Sequence, residues 1–146
     1  MTNKRFYTDR CFCCGRNNLK GLNLKIEKDG LCSLINCKVP EEYQSYPGIV
    51  HGGIITTLLD EALWYAFFFN GIYTFTRKLN VTFKKSIPID YPVIVRGEVV
   101  KKLKSSLWSG KATITDEDGL VYAFAIGEFF ESRNLEDKLF IYSDET

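Results

Sequence analysis

Hydrophobic residues change period twice along this chain. Leu22, Leu24 and Ile26 alternate with Asn23, Lys25 and Glu27, the twofold period of a strand with one buried face. Asp29-Gly30 predicts a hairpin turn, and a second strand follows over residues 31–39. A loop carrying Pro40 and Pro47 leads to the only long helical stretch, residues 54–69. There Ile55, Leu58, Leu59, Ala62, Ala66 and Phe69 form one stripe at helical spacing. Ile54, Trp64, Phe67 and Phe68 extend the apolar surface beyond it, which predicts a helix enclosed on most sides. Asn70-Gly71 supplies a left-handed C-cap.

After the helix the period returns to two. Tyr73, Phe75, Leu79, Val81 and Phe83 alternate with Thr74, Thr76, Lys78, Asn80, Thr82 and Lys84. Past Pro88 and Pro92, strands are expected over residues 93–102 and from 107 to 115. Asp118-Gly119 makes another hairpin, and residues 120–131 are apolar on both faces, as in a central strand. Residues 1–21 read as a loop-rich lead-in and residues 132–146 as a polar, peripheral tail. Two strands, one helix and four strands give an α+β fold with an antiparallel sheet around a helix.

The 146 residues suit a single domain, 1–146, able to bury a full core without a metal or disulfide staple. Apolar residues at 45% and charged residues at 25% exclude a disordered or low-complexity chain. Nineteen basic against eighteen acidic residues leave a net charge of +1, which argues against a nucleic-acid partner held by a strong overall field. The longest apolar run, residues 62–69, is far below the ~20 needed to cross a bilayer, so no membrane association is expected. With no apolar leader at the start, the expected compartment is the reducing cytoplasm, where the five cysteines stay free thiols. Cys11 and Cys14 with Cys32 and Cys37 do not make a convincing zinc set, because Cys32 and Cys37 fall on opposite faces of a strand. No metal and no cofactor is expected.

The chemistry concentrates between Gln44 and Ala62. Pro47-Gly48 turns a loop that delivers His51-Gly52-Gly53 to the start of the long helix. The first amides of a helix lack internal partners and sit at the positive end of its dipole, and glycine leaves them open to a ligand oxygen. Such donors suit a carbonyl oxygen that becomes an oxyanion during acyl transfer. Asp60 lies eight residues beyond Gly52, roughly 12 Å along a helix axis. A carboxylate acting on the same carbonyl must come within a few ångströms of those donors. One helix therefore cannot place its own Gly52 and Asp60 on one carbonyl, whereas two antiparallel copies can. A catalytic site here is shared between two subunits.

Pro47-Gly48-Ile-Val-His51-Gly52-Gly53, Leu59-Asp60-Glu61, the strand from Thr76 to Phe83 and the opening Cys11-Phe-Cys-Cys14-Gly15 together resemble hotdog-fold acyl-CoA thioesterases of the phenylacetate-degradation and 4-hydroxybenzoyl-CoA type. The resemblance runs from about Cys11 to Phe130. It implies a hotdog fold, an antiparallel sheet wrapped around one long helix, in a homodimer or homotetramer that hydrolyses acyl-CoA to free acid and CoA. It further implies that the Gly52 amide polarises the thioester carbonyl. Asp60 of the other subunit attacks it or activates water, and Thr76 lies beside that carboxylate or water. Gln44 and Ser45 are the candidates for positioning the water, and His51 supports the loop. Gly53 adds a substrate contact. The loop 101–106, with Lys101, Lys102, Lys104, Ser105 and Ser106, matches a stretch that touches the CoA nucleotide in relatives, and its cations suit phosphates. The aromatic helix residues, Trp64 to Phe69, suit a medium-chain or aromatic acyl group. Two other readings compete: a silent acyl-CoA-binding protein, and a hotdog hydratase, which normally needs a His in a different local setting.

Overall fold

The structure, a computed structural model, describes residues 2–6, 10–135 and 140–144, with side chains for residues 10–135. Strands β1 (Thr2–Phe6), β2 (Ile26–Asp29) and β3 (Cys32–Cys37) precede a single 3-10 turn at Glu41–Tyr43 and helix α1 (Gly52–Phe69). Strands β4 (Thr74–Phe83), β5 (Val93–Lys104), β6 (Leu107–Thr115), β7 (Val121–Glu131) and β8 (Phe140–Asp144) follow. Six of the strands form one antiparallel sheet in the order β2-β3-β5-β6-β7-β4. This is the expected count of two strands, a helix and four strands, and the hotdog arrangement that the resemblance implies. As its two-faced apolar pattern predicts, β7 is an interior strand.

Helix α1 is enclosed. Leu58, Leu59, Ala62, Leu63, Ala66 and Phe67 are fully buried, and within the helix only Gly53 is exposed. Its core side packs on Ile35, Val95, Ala112, Ile114, Ala125 and Phe129 of the sheet. Burying a large aliphatic or aromatic side chain contributes roughly 1.5–3 kcal/mol, so this one helix carries a large part of the hydrophobic stabilisation. The contact is closest at Ala62, whose carbonyl accepts a hydrogen bond from the buried Ser33 hydroxyl of β3. Beside it, a Cβ on Gly97 of β5 would stand 2.3 Å from the Ala62 oxygen. Only glycine allows the sheet backbone this near the helix backbone. The helix ends as expected, with Gly71 at φ +74° and the Ile72 and Gly71 amides bonded to the Phe67 and Phe68 carbonyls.

Four local expectations are corrected. Residues 22–25 are not strand, since Asn23 takes a positive φ of 49° and pairing starts only at Ile26. The strand after the helix does not keep one alternation. A register shift between Thr76 and Lys78 marks a bulge at Arg77, so Thr74 points inward at 1% exposed while Phe75 points out at 53%. Strand β5 runs on to Lys104, two residues beyond the expected end at 102, so the expected loop 101–106 shrinks to a turn at Ser105 and Ser106. The lead-in is not all loop, because β1 pairs with β8 from the tail. Parts of both termini, residues 7–9, 136–139 and 145–146, lie outside the described residues, but Leu135 at the start of the tail is buried.

Gly97→Ala places a methyl against helix backbone that cannot move aside. It is expected to destabilise the fold by about 1–3 kcal/mol, read as a lower midpoint in urea at unchanged slope.

Candidate active site

The approach to α1 is built by short backbone pairings. Ser45 N–H donates to the Ile49 carbonyl at 2.8 Å, and the Gln44 side-chain oxygen accepts from the Gly48 amide at 3.1 Å. Val50 N–H reaches the Ile87 carbonyl, and His51 N–H reaches that of Tyr43. His51 then stands as the N-cap in extended conformation (φ −61°, ψ 135°), and its Nδ1 accepts the Gly53 N–H at 2.8 Å. This satisfies one of the orphan amides at the helix start. It also uses the Gly53 amide, so that group is no free donor for a ligand. Among the described residues no acceptor engages the Gly52 amide. Gly52 instead lines an open groove of about 320 Å³ with Ser45, Tyr46, Phe83, Lys84 and Lys85.

Two turns further along the helix, Asp60 is half-buried and its Oδ1 accepts the Thr76 hydroxyl at 2.6 Å. The bulge at Arg77 is what turns Thr76 toward the helix while Leu79 and Val81 still pack inward. Burial pushes the Asp60 carboxyl above the ordinary aspartate range, and the Thr76 hydrogen bond only partly offsets this. Trp64, one turn on, stacks on Phe68 at 5.3 Å and makes an aromatic wall past Asp60.

The candidate residues therefore fall into separate groups on one chain. Gly52, His51, Gly53, Gln44 and Ser45 gather at the helix start, while Asp60 and Thr76 sit further along. Lys102, Lys104, Ser105 and Ser106 lie exposed at the β5–β6 hairpin. Sheet register ties this hairpin to the acid's neighbourhood, since Lys102 pairs with Trp108, Trp108 with Phe129 and Phe129 with Thr76. Lys102 Nζ lies 5.4 Å from the Trp108 ring centre. Sequence reasoning missed Lys84 and Lys85, the cations nearest the Gly52 groove, although Lys84-Lys85-Ser86 at a strand end was a visible signal.

Residues 47–123 match the family model described as Thioesterase superfamily. Human acyl-coenzyme A thioesterase THEM5 is 32% identical over 85 residues, 58% of this chain and 34% of that protein. The chain thus spans about a third of the length of this curated relative. Among solved structures, a hypothetical thioesterase protein of Streptococcus pneumoniae crystallised with coenzyme A is 25% identical, with a TM-score of 0.69 over 75% of this chain and 89% of that one. That protein was also solved as separate alanine variants of an aspartate and a threonine sixteen positions apart. The PaaI protein of the Escherichia coli phenylacetic acid degradation operon shares the fold at 16% identity, a TM-score of 0.69 and coverage of 76% and 80%.

A carboxyl whose pKa is raised by folding stabilises the fold while protonated and loses that contribution as pH rises through its folded pKa. Asp60→Asn keeps the acceptor for Thr76 and removes the buried charge. Its Tm is expected to exceed the parent's at pH 7, with the difference shrinking toward about pH 4, as followed by calorimetry across pH.

Proposed function

Because this chain belongs to the Thioesterase superfamily, we propose that it hydrolyses acyl-coenzyme A to a free acid and coenzyme A at a site shared by two copies. The carrying observation is the geometry of β4. At one end Phe83 flanks Gly52, with ring atoms 3.6 and 3.7 Å from where a Gly52 Cβ would lie. At the other end Thr76 holds Asp60. Strand β4 is an edge strand with Phe75 and Phe83 each 53% exposed, and an exposed apolar edge is normally covered. Antiparallel pairing of two β4 edges about their middle puts Phe83 of each copy opposite Thr76 of the other. Each Gly52 amide thereby meets the second copy's Asp60, as the roughly 12 Å separation on one helix requires.

In this reading the thioester carbonyl oxygen takes the Gly52 N–H, which strengthens as the oxyanion develops. Asp60 of the second copy removes a proton from water, and the water oxygen bonds to the carbonyl carbon. Collapse of the intermediate breaks the carbon–sulfur bond, and the departing thiolate is protonated to coenzyme A. Thr76 donates to one carboxylate oxygen and leaves the other for water. The raised pKa of Asp60 suits a base working near neutrality. His51, Gln44 and Ser45 shape the entry loop. Lys102 and Lys104, with Ser105 and Ser106, offer the nucleotide phosphates an exposed basic turn, and Trp64 and Phe68 face the acyl group. The sixteen-residue separation of the two residues replaced in the Streptococcus pneumoniae protein equals that of Asp60 and Thr76 and supports their pairing.

Thiol release from a panel of acyl-CoAs tests the proposal. Asp60→Asn should lower kcat by about 10²–10⁴-fold. Gly52→Pro should lower it by about 10²–10³-fold, since proline suits the first helical position and removes only the donor. His51 already has the extended backbone that must precede proline. Mixing the two inactive variants and letting subunits exchange should restore about a quarter of the parent's activity, one intact site per mixed dimer. No recovery after proven exchange would refute the shared site. A chain that binds acyl-CoA without releasing thiol would be a binder instead. The acid limb of kcat/KM should lie above the ordinary aspartate value of about 3.9 and depend on Asp60.

A further inference from the structure

On the flank of α1, next to Asp60, stands a second cluster that the hydrolytic site does not use. The lead-in turns sharply at residues 11–15, where Gly15 N–H donates to the Cys11 carbonyl at 2.9 Å. The turn is pinned to the next segment by Leu22 N–H on the Phe12 carbonyl and Leu24 N–H on the Cys13 carbonyl. This folds the sulfurs of Cys11 and Cys13 onto the Glu61 carboxylate. One ligand atom from each of the three residues lies within 4.8 Å of the others, and Cys11 Sγ is 3.9 Å from Glu61 Oε1. Cys14 borders them. Its sulfur accepts the Tyr65 hydroxyl at 3.2 Å.

The electrostatics of this cluster lack a cation. Among the described residues no Lys, Arg or His pairs with Glu61. Two sulfurs and a carboxylate oxygen gathered this closely form the donor set of a thiophilic metal site. Tetrahedral zinc takes thiolate sulfur at about 2.3 Å and carboxylate oxygen at about 2.0–2.2 Å, which puts neighbouring ligand atoms roughly 3.5–3.8 Å apart. Cys11 Sγ and Glu61 Oε1, at 3.9 Å, already stand close to that spacing.

We propose that Cys11, Cys13 and Glu61, with Cys14 as fourth ligand, hold a thiophilic divalent cation, zinc in the simplest case, that bolts the lead-in to helix α1. Thiolate-rich, closed four-ligand sets are the mark of structural zinc. The ion would fix the helix one residue from Asp60 while leaving hydrolysis to other groups.

The test uses the full chain, purified with reductant and without chelator, and zinc or cobalt alone as the probe. Elemental analysis should find close to one zinc per chain. Cobalt titration should produce the intense thiolate-to-metal charge-transfer absorption and tetrahedral bands, and chelation should lower Tm. Cys13→Ser and Glu61→Gln should each weaken zinc by at least the roughly 10–100-fold that losing even a supporting partner costs, whereas Cys32→Ser and Cys37→Ser should leave the stoichiometry unchanged. Fully reduced parent protein that takes up no zinc and gives no cobalt–thiolate band would overturn the assignment. So would full retention of zinc by the Cys11→Ser, Cys13→Ser double variant.

Discussion

The enclosure of one helix by one sheet governs the rest of this molecule. Helix α1 meets β3 and β5 at backbone distance through Ser33 and Gly97, so its position along and around its axis is fixed from the side opposite Asp60. A helix so held has no freedom to rotate its remaining face. Asp60 and Glu61 are thereby committed to the strip beyond β3 and β5, where the edge strand β4 and the lead-in meet them. Desolvation of two adjacent carboxyls, each pushed above its ordinary pKa, follows from that commitment. The helix supplies hydrophobic stability on one side and holds perturbed acids on the other.

The second constraint is the rigidity of helical rise. An amide at the first position and a carboxylate two turns later cannot converge, whatever the side-chain rotamers. Strand β4 runs past both, with Phe83 at the amide and Thr76 at the acid. The bulge at Arg77 lets the two ends of this strand present different faces to the helix. An unbroken strand with the same pairing at Leu79 and Val81 would turn Thr76 away from Asp60.

Much of this was legible in the residues. Twofold and helical periods located the helix and most strands of the main sheet, and Asp29-Gly30 and Asp118-Gly119 marked two hairpins. The open amide of Gly52 and the reach from it to Asp60 followed from spacing alone. What escaped had physical causes. Leu22, Leu24 and Ile26 alternate correctly, but Asn23 adopts a positive φ and the segment packs as loop, so burial without pairing mimicked a strand. The Arg77 bulge left no compositional mark. The meeting of Cys11 and Cys13 with Glu61 joins residues fifty positions apart, and a search for cysteine spacings passes over a carboxylate on a helix. The last residues of β5, up to Lys104, were missed because charge masked a strand end whose side chains stay in solvent.

The way His51 caps the helix has a consequence for proton traffic. Its Nδ1 lone pair is committed to the Gly53 N–H, which leaves the neutral ring as the tautomer with hydrogen on Nε2. The outer end of the imidazole can then give a hydrogen bond and cannot receive one. The chain's single histidine in this way turns a hydrogen-bond donor, not an acceptor, outward.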